Sequence, residues 1–141
     1  MKTYVIATAI IRDKDRFLIA KRAATKEFAP NQWEFISGFV DAPGSAEETI
    51  LRELKEELGV LGRIMDTASP FELVDEEGRW VVLPFLVELE GEDIRVNPED
   101  HEEIKWVAVD ELDQYPDLLP FLKNAEIQGF LLKAKTTNYG K

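Results

Sequence analysis

Three glutamates in one short stretch, Glu53, Glu56 and Glu57 of ILRELKEELG, stand at positions i, i+3 and i+4. At the helical advance of about 100° per residue, their carboxylates share an arc of about 100° on one face. Like charges at that spacing repel, so the arrangement does nothing for the stability of a soluble helix. A hard divalent cation such as Mg²⁺ wants carboxylate oxygens converging from one side, and metal binding is the compensation such a face invites. The plainer alternative is a solvated outer face. The surroundings weigh against it: Gly38 precedes the pair Arg52-Glu53, and Leu54, Glu56, Glu57, Gly59 and Val60 follow in tight register.

The segment carries its own helix signals. Ser45 is a plausible N-cap, with Glu47 and Glu48 in the first turn where the helix dipole favours acids. Leu51, Leu54 and Leu58 form an apolar stripe on the opposite side, suited to packing on a sheet. Gly59 ends the helix as a left-handed C-terminal glycine does. One face holds the fold and the other holds the metal.

The rest of the chain supplies that sheet. Tyr4 to Arg12 reads as a buried strand, Arg12 to Arg16 as a turn and Phe17 to Arg22 as a second strand. Residues 23 to 32 form a loop around Pro30-Asn31. Trp33 to Ile36 and Gly38 to Val40 are short strand pieces that lead through Asp41-Ala42-Pro43-Gly44 into the helix. Gly62 to Val74 and Arg79 to Glu90 are two strands joined by Asp75-Glu76-Glu77-Gly78. Gly91 to Glu103 is an acidic loop, Ile104 to Val109 a strand, and about Asp117 to Lys133 a C-terminal helix. Strands before, between and after two helices imply a mixed β-sheet between helices, an α/β/α sandwich.

The 141 residues, 45% of them hydrophobic, fit a single domain, 1–141, with a sizeable core. No apolar run is long enough to span a membrane and no signal peptide is evident, so a cytoplasmic protein without a membrane partner is expected. There is no cysteine, which excludes disulfides and thiolate metal sites. A net charge of −11 argues against bulk nucleic acid. A small phosphorylated substrate remains compatible, because Mg²⁺ between carboxylates and phosphates inverts the local charge.

The stretch from 38 to 60, GFVDAPGSAEETILRELKEELGV, resembles the Nudix box, G-x5-E-x7-R-E-U-x-E-E-x-G-U with U aliphatic. The pattern is specific for the superfamily and nearly silent on substrate. One position departs: the family's first glutamate falls at Gly44. Since that glutamate positions the box arginine, its absence bears on the anchoring of Arg52, with Glu48 as a weak helical substitute. The resemblance implies a hydrolase that cleaves a nucleoside diphosphate linked to another group X, acting on a small nucleotide with Mg²⁺ as cofactor and Mn²⁺ as an alternative. It implies Glu53, Glu56 and Glu57 as metal ligands, with Glu53, Glu57 and Arg52 as the catalytic set. By position it adds the carbonyl of Ser37, which precedes the box glycine, and a loop carboxylate before Trp106, either Asp100 or Glu103. His101, the lone histidine, reads as a surface-turn residue.

For the substrate, Lys21 and Arg22 are candidate phosphate contacts, of which strand alternation turns one toward the site. Phe28, Trp33, Phe35 and Phe39 are candidate stacking partners for a base, against a core role for some of them. The stretch from Ala23 to Phe35 is similar to MutT-type members acting on oxidised nucleoside triphosphates, and Asn124 loosely matches their base-reading asparagine. Ser37-Gly38-Phe39 departs from the Gly-Gly-Lys of that group and leans toward NADH pyrophosphatase-type members. The alternatives are therefore an ADP-ribose, nucleotide-sugar or dinucleotide pyrophosphatase, or a catalytically weak nucleotide-binding regulatory domain. A homodimer is left open.

Overall fold

The computed structural model describes residues 1–40, 45–118 and 120–137. The Asp41–Gly44 turn, including the position of the missing box glutamate, lies outside them. Eight strands form the sheet: β1 (Thr3–Asp13), β2 (Arg16–Arg22), β3 (Trp33–Glu34), β4 (Ile36–Phe39), β5 (Gly62–Thr67), β6 (Phe71–Asp75), β7 (Gly78–Leu89) and β8 (His101–Val107). Helix α1 is Ala46–Leu58 and helix α2 is Ala125–Ala134. No helix among the described residues is long and apolar enough to cross a membrane.

The long strand β1 organises the sheet. It runs parallel to β7 from Thr3 to Ile11 and antiparallel to β4 on its other side, then turns through Lys14 into β2. Strand β7 also pairs with β5 and β6, and β2 pairs with β3 and β8. The sheet is mixed and covered on both faces. Alternate residues of one strand therefore enter different cores. Ala7, Ala9 and Ile11 of β1, with Leu18 and Ala20 of β2, pack under Ile50, Leu54 and Leu58 of α1. Ile10, Phe17 and Ile19 pack on the other side under Ile127, Leu131 and Ala134 of α2.

Both helices begin with a side-chain cap and the first ends on a glycine. Ser45 accepts from the Glu48 N–H, and Gly59 closes α1 at φ 64°, the left-handed region. Asn124 accepts from the N–H groups of Glu126 and Ile127. Three expected elements differ. The strand anticipated from Gly62 to Val74 is two strands, because Pro70 has no N–H for the ladder and Ala68 to Pro70 break the pairing. The C-terminal helix begins only at Ala125. Pro120–Lys123 form a separate 3₁₀ turn and Asn124 restarts the chain as a new N-cap. The last strand starts at His101, three residues earlier than its apolar pattern suggests, and Val109 opens a 3₁₀ helix instead of ending a strand.

Candidate active site

A cleft of about 660 Å³ lies beside α1, within the range of small-ligand sites. Its charged end is built on Glu53 and Glu57 of α1, and Gly38 of β4 is what lets the helix approach. A Cβ at Gly38 would stand 2.6 Å from Glu53 Cγ and 2.8 Å from its carboxyl carbon, so any side chain there would displace the glutamate. Ser37, the residue before it, also lines the cleft, and its hydroxyl is 3.0 Å from that of Thr8 on β1.

Glu57 is buried, and its Oε2 has no hydrogen-bond partner. Burial, a hydrogen bond with Glu53 and the negative charges of Glu53, Glu34 and Asp100 hold its carboxyl well above the ordinary carboxylate range. Without a cation Glu57 keeps its proton at neutral pH. A cation would replace that proton and satisfy the orphaned oxygen. Among the described residues no three acidic or histidine side chains form a ready-made metal cage, which suits Mg²⁺: it keeps several waters and takes one or two carboxylates plus substrate oxygens.

A buried chain of polar groups lies behind Glu57, its last link an approach of His101 Nδ1 that makes no hydrogen bond. His101 is only 1% exposed. Its Nε2 is 2.8 Å from Glu34 Oε2, and its Nδ1 is 3.6 Å from Glu57 Oε1. Glu34 also accepts from Arg22 Nη1 at 3.1 Å through both oxygens, so it is the acceptor and His101 Nε2–H the donor. Arg22 Nε donates to the Phe28 carbonyl, and its guanidinium lies over the Phe28 ring. Asp100 lines the cleft beside this chain, paired with Lys26 Nζ at 2.9 Å.

Several expected site residues lie elsewhere. Glu56 is solvent-exposed and 4.0 Å from Arg52, not in the cleft. On the helix it sits about 60° from Glu53 on the side away from Glu57, and only the other two glutamates turn inward. Arg52 is likewise exposed and outside the cleft. Among the described residues it pairs with Glu56 and not with Glu48. Glu103 is exposed on β8 beside Lys105, leaving Asp100 as the loop carboxylate at the cleft. Lys21 turns away to Glu102 while Arg22 faces in, the alternation expected of neighbouring strand residues. Phe35 is a fully buried core residue and Trp33 packs beside it, whereas Phe28 and Phe39 are 59% and 54% exposed at the cleft. Asn124 is spent on capping α2 and does not line the cleft.

Glu34, Lys26 and His101 are the site residues that sequence reasoning missed. The β2–β8 register shifts between Lys21 and Arg22, so that Arg22 comes opposite His101. Nothing local to His101 signals that irregularity.

A model of the NUDIX domain matches residues 1–126, most of the chain and all of the cleft just described. The chain belongs to the Nudix family. It is similar to the CTP pyrophosphohydrolase of Escherichia coli (strain K12), 29% identical over 122 residues covering 82% of this chain and 84% of that protein. It is also similar to the nucleoside triphosphatase NudI of Klebsiella pneumoniae (strain 342), 27% identical over 127 residues covering 82% of this chain and 89% of that one. Among solved structures, the MutT protein from Methanosarcina mazei Go1 superposes with a TM-score of 0.81 over 96% of both chains, at 20% identity, which speaks for the fold alone. This Nudix chain is a hydrolase, and the family generally works with divalent cations.

Proposed function

We propose that the chain is a cytoplasmic, Mg²⁺-dependent pyrophosphohydrolase forming one domain over 1–141, which cleaves a nucleoside diphosphate linked to X, with a nucleoside triphosphate as the substrate class. The observation that carries the reading is the buried Glu57 beside half-buried Glu53 over Gly38, at one end of a nucleotide-sized cleft. A buried carboxyl held above its ordinary range next to a second carboxylate is a site that favours added positive charge.

Glu53, Glu57 and the Ser37 carbonyl would hold the cation, with Asp100 joining once it leaves Lys26. Mn²⁺ would fit the same oxygen ligands. Bound there, the cation supplies a more acidic water and neutralises phosphoryl oxygen charge. The chain's own residues do the rest. Lys26 and Arg22 bring positive charge to the wall that a polyphosphate would follow. His101 and Glu34 fix the side of Glu57 that faces away from substrate, and Glu53 orients the attacking water. Glu56 enters as a ligand only by leaving Arg52.

The similarity to a CTP pyrophosphohydrolase and to a nucleoside triphosphatase supports the triphosphate class over ADP-ribose, NADH or dinucleoside polyphosphates. One observation favours a second reading, a catalytically weak nucleotide-binding domain: Arg52 is exposed and held only at 4.0 Å by Glu56 among the described residues. A hydrolysis screen over nucleoside triphosphates, oxidised dNTPs, ADP-ribose, NADH and dinucleoside polyphosphates, with and without Mg²⁺, separates the two. Release of pyrophosphate and a nucleoside monophosphate from a triphosphate, dependent on the metal, is the expected result. Binding without turnover of any compound would leave the second reading.

A further inference from the structure

The end of the cleft away from the acids is apolar and aromatic. Directly paired residues share a face of a sheet, and Tyr4 of β1 pairs with Trp80 of β7, which in turn pairs with Leu73 of β6. Phe39 of β4 pairs with Ile6, two residues from Tyr4 on the same face of β1. The Tyr4 and Trp80 rings stack at 4.5 Å between centroids and 23° between planes, and Phe39 lies 6.1 Å from each. These side chains line the cleft, as does Asp75. Phe39 directly follows Gly38, so the aromatic floor starts one residue from the seat of Glu53.

Asp75 is oriented by this floor. Its Oδ1 accepts from Trp80 Nε1 at 3.0 Å and from the N–H groups of Glu77 and Gly78 at 2.8 and 3.2 Å. Three donors saturate one carboxylate oxygen and fix the plane of the group, leaving Oδ2 as the acceptor that can meet a ligand. The Trp80 N–H, joined by the backbone N–H groups of Glu77 and Gly78, holds Asp75 below the usual carboxylate range, so at neutral pH it offers acceptors and no donor.

We infer that Tyr4, Phe39 and Trp80 form a nucleobase subsite and that Asp75 selects bases carrying an exocyclic amino group. The inference rests on the nucleotide-hydrolase reading above and goes beyond it by naming how the base is chosen. An aromatic cluster beside a polyphosphate site, with Tyr4 and Trp80 stacked on one another and Phe39 inclined to both, takes a base by stacking on an outward-facing ring, which is tolerant of base identity. The lone acceptor adds the discrimination. The amino groups of guanine and cytosine donate to it. Hypoxanthine and uracil keep one ring N–H but lack the exocyclic donor, and uracil presents a keto oxygen in its place, so each makes one hydrogen bond fewer to the carboxylate.

The test compares pairs that differ at that group: GTP with ITP, and CTP with UTP. Asp75→Asn is the diagnostic variant, because asparagine serves equally well in this kind of turn and keeps an acceptor for Trp80 while placing an amide donor toward the ligand. Wild type should prefer GTP over ITP and CTP over UTP in kcat/KM by about tenfold, the scale of one hydrogen bond to a charged group. Asp75→Asn should erase or invert both preferences. Equal use of each pair by wild type, or unchanged ratios in the variant, overturns the inference. So does a variant that alters only the ribo- against deoxyribonucleotide ratio, since Asp75 would then read the sugar. If no triphosphate is cleaved, the triphosphate reading fails by itself. The subsite is then decided by calorimetric titration with GMP against IMP, where about tenfold tighter binding of GMP upholds it and equal binding overturns it.

Discussion

The two ends of the cleft are built by opposite means. At the charged end, Glu34, His101 and Glu57 lie below the surface with Glu53 half-buried beside them, and the helix that carries two of them is fixed by its apolar stripe and by Gly38. At the aromatic end, Phe39 is half-exposed and Tyr4, Trp80 and Asp75 sit on the open continuation of the sheet. Geometry that must be right to within a fraction of an ångström is placed where packing determines it. Contacts that need only a flat surface and one acceptor are left on the rim. The first end can change little without loss of chemistry, while the second can change partner by a single substitution.

Each end can be broken separately. Glu57→Gln removes a charged ligand at nearly constant volume, and turnover in Mg²⁺ should fall by about a hundredfold or more, the scale of losing a group that stabilises transition-state charge. Circular dichroism should show the fold intact, and a wild-type rate would show that the metal is held elsewhere. His101→Asn leaves Glu57 without its support, and Mn²⁺ affinity measured by calorimetry should weaken by roughly ten- to a hundredfold, as for other residues that orient metal ligands. Phe39→Ala at the opposite end should raise KM by several-fold, on the order of one lost base-stacking contact, while kcat holds. A large fall in kcat instead would mean that the two ends are not separable.

Smaller effects concern stability. Because the Glu57 carboxyl in the fold holds its proton more tightly than in the unfolded chain, folding takes up a proton at pH values above the ordinary carboxylate pKa of about 4.3. The stabilisation is fully present below that pH and is lost as pH rises toward the raised value. In EDTA, the melting temperature of wild type should therefore drop with rising pH more steeply than that of Glu57→Gln, and saturating Mg²⁺ should remove the difference. Parallel curves in EDTA would mean that Glu57 is not so perturbed. Last comes Ser45→Glu, which places an acid next to the missing box position but removes the cap that Glu48 N–H uses. It should cost about 1 kcal/mol by urea denaturation without raising turnover. A gain in activity would show that the absent glutamate limits the enzyme.

Local chemistry was legible and distant chemistry was not. Ser45 and Gly59 bound α1 because capping depends on a few neighbouring residues, and Leu54 against Glu53 and Glu57 follows from helical spacing alone. Strand alternation likewise separates Arg22 from Lys21. The limits appear where a partner is far off in sequence. Whether Phe35 or Phe39 faces the cleft depends on which side of the sheet is covered there: Phe35, between β3 and β4, enters the core, while Phe39 at the end of β4 stays open. Asn124 carries the same residue type for a base contact and for a helix cap, and the Pro120 break decides for the cap. Glu56 shares the helical arc with Glu53 and Glu57, yet it lies at the edge of that arc, on the side of Glu53 away from Glu57, and stays in solvent beside Arg52. His101 reaches Glu34 and Glu57 only through the irregular β2–β8 register, which no spacing in the chain announces.

Arg12, near the end of β1, donates to the backbone carbonyls of Ala134 and Thr137 and pairs with Glu88 of β7. Strand β1 is thus latched across the sheet to the C-terminal side of α2. During synthesis the half of the core under α1 can assemble once β7 has emerged, but the half under α2 has no lid until Ala125–Ala134 have followed. The apolar side chains Ile10, Phe17 and Ile19 wait uncovered for that interval, exposed to association with other nascent chains. Prompt coverage of that face, and not only final stability, is what loss of α2 would forfeit.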